Sequence, residues 1–182
     1  MENRLVILTG NTTLVFSIFT IYPRLLSVHI ENQATARMAA KIQLMPEKIR
    51  VVIVDDHQVI RTSWKILFGT DDRFEVVGVL KSGQEAIDQV PGLAPVVVLM
   101  DINMFPINGF ETTEQLIRID PAILVIGISA NNYPGYAQKM MAIGAKGFVT
   151  KSSPFDELTR AVTTVNGGGT YICREITRLS EK

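Results

Sequence analysis

The chain has 182 residues, 47% hydrophobic and 20% charged, with 18 basic and 18 acidic side chains and a single cysteine, Cys173. That length suits one domain with a buried core plus extra segments, and the composition excludes a disordered chain or a disulfide scaffold. Residues 1–48 carry five Lys/Arg against three Glu, and residues 49–182 carry thirteen basic against fifteen acidic side chains. No concentrated basic run results, which argues against direct nucleic-acid binding by these residues.

The first 48 residues read differently from the rest. Residues 12–22 are apolar for only about three helical turns before Pro23 and Arg24 interrupt them. A membrane span needs roughly 20 apolar residues, so no membrane association is expected. Arg4 is balanced by Glu2, which makes a poor signal peptide. Two readings stand: residues 1–48 are an accessory extension, or translation starts at Met45 (MPEKIRVVIVDD). No chemistry is assigned to them.

From Arg50 onward strands and helices alternate five times. Residues 50–54 (RVVIV) form a β-branched run with no polar interior, as expected of a strand buried on both faces. Residues 58–68 place Val59, Ile60, Trp64 and Leu67 at helical spacing. Residues 74–79 (FEVVGV) are the second strand. Residues 82–90 open with a Ser82-x-x-Glu85 capping box, and Pro91, Gly92 and Pro95 are expected to break that helix. Residues 96–100 (VVVLM) are the third strand, and residues 110–119 a helix stopped by Pro121. Residues 122–128 (AILVIGI) are the fourth strand, and residues 136–143 a helix ended by Gly144. Residues 146–149 are the fifth strand. Ser153 and Pro154 start the last helix, and Gly167, Gly168 and Gly169 end it.

This alternation predicts an α/β fold with a parallel sheet. The expected architecture is a flavodoxin-like doubly wound (βα)5 domain over residues 49–168, with five parallel strands in the order 2-1-3-4-5. Residues 169–182 are read as a C-terminal tail or linker. In such sheets ligands bind beyond the carboxyl ends of the strands, at the switch point between the first and third.

At that rim strand 1 ends in Asp55–Asp56, strand 3 in Asp101 and strand 4 in Ser129, with Lys151 just past strand 5. Taken singly, each has an ordinary explanation as a turn residue, a cap or a solvated lysine. Together they place three carboxylates, a hydroxyl and an ammonium at one sheet edge. Converging carboxylates repel, and a hard divalent cation such as Mg²⁺ (or Mn²⁺) relieves that repulsion. Metal, cation and donor are the parts phosphoryl transfer needs, because its catalysis is mostly positioning and charge neutralisation.

Four segments carry a family resemblance: 50–61 (RVVIVDDHQVIR), 98–109 (VLMDINMFPING), 128–130 (ISA) and 147–151 (GFVTK). In this order and spacing they resemble the receiver domains of two-component response regulators, over about residues 49–168. Asp-Asp-His with a nearby Arg looks like the subfamily that often carries a LuxR-type helix-turn-helix.

The resemblance implies that Asp101 accepts a phosphoryl group from a sensor histidine kinase or phosphotransfer protein. Asp55, Asp56, Asp101 and the backbone carbonyl of Asn103 would hold Mg²⁺. Lys151 would pair with a phosphoryl oxygen, and Ser129 would swing toward the phosphoryl group. Ala130 leaves room beside it. Phe148 matches the aromatic switch position, and Asn103 and Asn131 match positions flanking the hydrolytic water. One departure from the family pattern is Phe105, inserted between Met104 and Pro106, although Gly109 keeps its place eight residues beyond Asp101.

The expected activity is a cytoplasmic signalling switch, not a turnover enzyme, with only self-catalysed phosphorylation and slow autodephosphorylation. Its output face would be helix 4, strand 5 and helix 5, with Lys139, Met140, Lys146 and Arg160 meeting a partner or a second copy. An aspartate-nucleophile phosphatase is the enzymatic alternative, but such hydrolases typically have a second aspartate where Asn103 stands. A pseudo-receiver scaffold is the structural alternative. After Gly169 only TYICREITRLSEK remains, short of the roughly 50 residues of an effector domain. The chain reads either as a single-domain receiver or as the receiver part of a truncated DNA-binding regulator.

Overall fold

The computed structural model describes the backbone of Asn3–Thr9 and Thr12–Ile18, and residues 47–94 and 97–181. Two units are present, Met1–Pro46 and Glu47–Lys182. In the first, β1 (Asn3–Thr9) and β2 (Thr12–Ile18) pair antiparallel, from Asn3↔Ile18 to Thr9↔Thr12. Their Val, Ile, Leu, Phe and Thr content favours a pleated ladder, so the stretch measured above in helical turns is extended over Thr12–Ile18. The Pro23–Arg24 interruption, the candidate start at Met45, and Pro95 and Val96 lie outside the described residues.

The second unit alternates as its sequence pattern requires. Its elements are β3 (Ile49–Val54), α1 (Gln58–Gly69), β4 (Phe74–Leu80), α2 (Gly83–Leu93), β5 (Val97–Asp101), α3 (Gly109–Ile119), β6 (Leu124–Ser129), α4 (Pro134–Ala142), β7 (Gly147–Thr150), α5 (Phe155–Asn166), β8 (Tyr171–Ile172) and α6 (Arg174–Ser180). All strand pairings are parallel, in the order β4-β3-β5-β6-β7-β8. The first five strands follow the expected 2-1-3-4-5 order. The sheet nevertheless has six strands, not five.

The sixth strand comes from the segment read as a tail or linker. Tyr171 N donates to Lys146 O at 3.0 Å and Cys173 N to Phe148 O at 3.0 Å. These bonds satisfy the outer edge of β7, and α6 then buries Ile176 against the core and packs on α4. Two residues after a glycine run show no periodicity, so the strand is invisible without its partner.

The central strands are buried along nearly all of their length. Every residue of β5 is buried, as is every residue of β7, which is why both are apolar up to the polar residue that ends each, Asp101 and Thr150. Helices cover them with single faces. In α5 the buried Leu158, Ala161, Val162 and Val165 recur at helical spacing. Phe68 of α1 meets Phe74 and Phe155 edge-on, with ring centroids 5.1 and 5.0 Å away.

Helix ends differ in detail from the sequence reading. Helix α2 continues through Pro91 to Leu93 and stops at Ala94 in the left-handed region, φ 44°. Ser82 accepts from Glu85 N at 3.2 Å, but Glu85 accepts from Lys81 N, so that capping box is only half made. A complete one sits instead at α3, where Asn108 and Glu111 satisfy each other's amides. Pro154, not Ser153, is the N-cap of α5, and Ser153 pairs with Thr150 Oγ1 at 3.0 Å. Gly144, with φ 102°, ends α4 as expected.

Candidate functional site

The register of the sheet assembles the pocket. Val54 aligns with Met100, Asp101 with Ile128, and Ser129 with Thr150. Asp55, the next residue along β3, is therefore level with Asp101, while Ser129 and Lys151 lie one and two residues further along at the same sheet edge. Each follows the last hydrophobic residues of its strand, where the chain leaves the core.

Asp55 and Asp101 are fully buried, whereas Asp56 and His57 are exposed. Lys151 Nζ lies 2.7 Å from Asp101 Oδ2, as a hydrogen bond, and 2.7 Å from Asp55 Oδ2. Toward Asp55 the ammonium is close but poorly aligned, leaving that buried oxygen without a hydrogen bond. Asp101 Oδ1 accepts from Asn103 N at 3.1 Å. Burial pushes the Asp101 carboxyl above its usual range, Lys151 and the Asn103 amide pull it back, and the charge of Asp55 adds to the rise. Burial alone would lower the Lys151 ammonium, but its hydrogen bond to Asp101 and the close Asp55 carboxylate outweigh this and raise it, so it stays charged.

Two residues given no role in the sequence reading shape the acidic turn. Arg61 Nη1 donates to the Asp55 carbonyl at 2.7 Å and fixes the direction in which β3 leaves the sheet. His57 N donates to Asp55 Oδ1 at 2.8 Å, and its Nδ1 lies 2.7 Å from Asp56 Oδ1, 3.1 Å from Asp55 Oδ1 and 3.8 Å from Asp101 Oδ2. Both belong to the Asp-Asp-His…Arg run, so the signal lay in the motif. Only the folded turn shows what they touch.

Three carboxylates against one ammonium leave excess negative charge. Ligand atoms of Asp55, Asp56, His57 and Asp101 all lie within 4.8 Å of one another. This carboxylate-rich donor set, more negative than one ammonium offsets, fits a hard divalent cation such as Mg²⁺.

Of the remaining expected site residues, Ser129, Asn103, Ala130 and Asn131 lie at the same edge, whereas Phe148 sits inside β7 level with Gly127, in the core. Ser129 is buried, and its Oγ accepts from Asn131 N at 2.9 Å. Lys151 N donates to Ser129 O at 2.7 Å, tying the two loops together. Phe148 is fully buried, while Asn103, Ala130 and Asn131 are exposed. In the departing loop Met104 is buried and Phe105 is 87% exposed, before a cis peptide bond to Pro106. Gly109 packs flat against the Asp101 carbonyl and Ile102 Cα, leaving no space for a side chain.

The output face expected from sequence is altered. Met140 is fully buried, Lys139 holds its ammonium 4.4 Å from the centre of the Phe110 ring, and β8 and α6 occupy the edge of β7. Lys139, Lys146 and Arg160 remain exposed.

A parallel sheet of this order with an acidic pocket and a lysine at its switch point defines a class. The response regulator receiver domain model matches residues 51–163, and the chain belongs to that family of two-component signalling proteins. It is 37% identical over 135 residues to the transcriptional regulatory protein DegU of Brevibacillus brevis, covering 74% of this chain and 57% of that protein. It is 35% identical over 128 residues to the response regulator GacA of Pseudomonas protegens, covering 70% and 60%. The chain thus spans less than two thirds of these curated relatives. A crystal structure of a LuxR-family two-component response regulator from Aurantimonas sp. superposes with TM-score 0.71 at 26% identity, over 74% of this chain and 97% of that one. The receiver domain of the response regulator NarL from Mycobacterium tuberculosis gives TM-score 0.63 at 30% identity, over 68% and 99%. Among the described residues no helix is long and apolar enough to cross a membrane.

Proposed function

We propose that this chain is a phosphorylation-operated switch whose acceptor is Asp101. The observation that carries the reading is the Lys151 ammonium, 2.7 Å from both Asp101 Oδ2 and Asp55 Oδ2 at the acidic rim. An Asp101 oxygen attacks phosphorus on a phosphohistidine, the P–N bond breaks, and the imidazole leaves with a proton. The product is an acyl phosphate on Asp101. Asp55, Asp56, Asp101 and the Asn103 carbonyl would hold Mg²⁺ (or Mn²⁺), which supplies charge neutralisation for the phosphoryl oxygens. Lys151 pairs with one of those oxygens while keeping its contact with Asp55.

The donor in this reading is a sensor histidine kinase or phosphotransfer protein. Such donors are charged from ATP, so this reading takes the chain to work in the cytoplasm. Ser129 and the buried Phe148 are the switch, and the exposed Asn103 and Asn131 flank the water that hydrolyses the acyl phosphate. Turnover is not its purpose: the product stays on the protein and acts by its charge.

A second reading concerns the output. DegU is named a transcriptional regulatory protein, and this chain covers 57% of its length. The receiver would then be the regulatory part of a DNA-binding regulator, dimerising when phosphorylated.

Incubation with acetyl phosphate and Mg²⁺ tests the acceptor. Intact mass should rise by one phosphoryl group in the native chain and stay unchanged in Asp101→Asn. A gain that persists in Asp101→Asn would overturn the assignment.

A further inference from the structure

Residues 171–180 are tied to the sheet edge by two acidic side chains. Glu157 of α5 accepts from Tyr171 Oη at 3.1 Å and from Arg174 N at 2.9 Å, which anchors β8 and the start of α6. Glu175 of α6 reaches the other way, toward the pocket. Its Oε1 accepts from Asn132 Nδ2 at 2.8 Å. Its Oε2 accepts from Thr150 Oγ1 at 2.9 Å and from Ser152 Oγ at 3.3 Å.

Those three donors are not scattered. Asn132 lies three residues after Ser129, in the loop whose Asn131 amide now occupies the Ser129 hydroxyl oxygen. Thr150 and Ser152 flank Lys151 on either side. One carboxylate therefore holds both loops that reach the phosphoacceptor, and those loops are already joined by the Lys151 N to Ser129 O bond. A Ser129 hydroxyl that turns to a phosphoryl group must give up its bond to the Asn131 amide. That bond lies one residue before Asn132, whose side chain is held by Glu175.

We propose that Glu175 is the junction by which the pocket controls the C-terminal segment: the docked segment holds the loops of Ser129 and Lys151 in their unphosphorylated arrangement, and phosphorylation of Asp101 loosens residues 171–180 from the edge of β7. The inference rests on Asp101 as the phosphoacceptor. Coupling of this kind is reciprocal, so weakening the junction also makes phosphorylation easier. The segment leads out of the domain, so its release is the signal that anything attached beyond it would sense. It also uncovers the β7 edge, which carries unpaired backbone groups once β8 leaves.

Amide hydrogen exchange of the full chain, with intact mass recorded on the same samples, tests this. Phosphorylated chain should exchange amides of residues 171–180 about 5-fold faster or more, the lower end of ordinary site-to-site coupling. Glu175→Ala and, from the other side, Asn132→Ala should each speed exchange of that segment without phosphate. Each should also raise the rate of phosphoryl uptake from acetyl phosphate. A phosphoryl mass gain with exchange of residues 171–180 unchanged overturns the junction while leaving Asp101 in place. Faster exchange in both variants with an unaltered uptake rate also overturns it, because a mere anchor would behave that way. No mass gain in the native chain would instead remove the acceptor assignment on which the inference stands.

Discussion

Lys151 is caught between two fully buried carboxylates, so its removal leaves both without a countercharge. Lys151→Ala should cost about 3 kcal/mol, the low end for a buried pair broken on one side, because the pocket opens to solvent at Asp56 and His57. Chemical denaturation reads this, and added Mg²⁺ should recover part of the loss. Gly109 is the second sensitive point. A methyl group there meets the Asp101 carbonyl and Ile102 Cα, backbone that cannot turn aside. Gly109→Ala should destabilise by about 1–3 kcal/mol and slow phosphoryl uptake, since the displaced backbone is that of the acceptor. An unchanged uptake rate in a folded Gly109→Ala chain would contradict this. Asp55, Asp101 and Lys151 were legible in the sequence because each stands where an apolar strand ends. His57 and Arg61 were in view but without roles, since their partners are a turn's carboxylates and carbonyl.

Helix α3 carries a complete capping box, at Asn108 and Glu111. Asn108→Ala should cost about 1 kcal/mol by thermal or chemical melting, with little effect on the pocket's charge. Helix α6 depends on Glu175, whose hydrogen bonds to Asn132, Thr150 and Ser152 hold its carboxyl below the usual range, against a small opposing effect of burial. The groups bonded to it are uncharged. A carboxyl with a lowered folded pKa stabilises the docked state above its ordinary value, and the benefit is lost as pH falls through the lowered one. A carbon-13 titration of the Glu175 carboxyl should therefore have its midpoint below about 4.3, the ordinary glutamate value. In Asn132→Ala that midpoint should move back toward it. Sequence patterns placed the helices well, because their buried faces repeat every three to four residues. They missed that α2 runs through Pro91, as neighbouring packing outweighs the lost amide.

The whole second unit is closed by its last dozen residues. A chain ending at Gly169 would lose β8 and the buried Cys173 and Ile176. Burying one such aliphatic side chain contributes about 1.5–3 kcal/mol, so the melting temperature should fall by several degrees. The freed β7 edge should also make the truncated chain self-associate, visible as earlier elution on size exclusion. A truncated chain that stays monomeric with an unchanged melt would show that the segment is peripheral.

The sequence by itself determined the alternation of strands and helices, the order of the first five strands and the residues lining their rim. Strands buried on both faces need unbroken apolar runs, and polar residues can appear only where those runs stop. The tertiary structure alone decided the sixth strand, the docking of the C-terminal segment along the β7 edge and the reach of Glu175 into two loops of the pocket. Each depends on which groups lie across a register or a packed helix, and a short strand, a buried Met140 or a distant carboxylate carries no local pattern that says so.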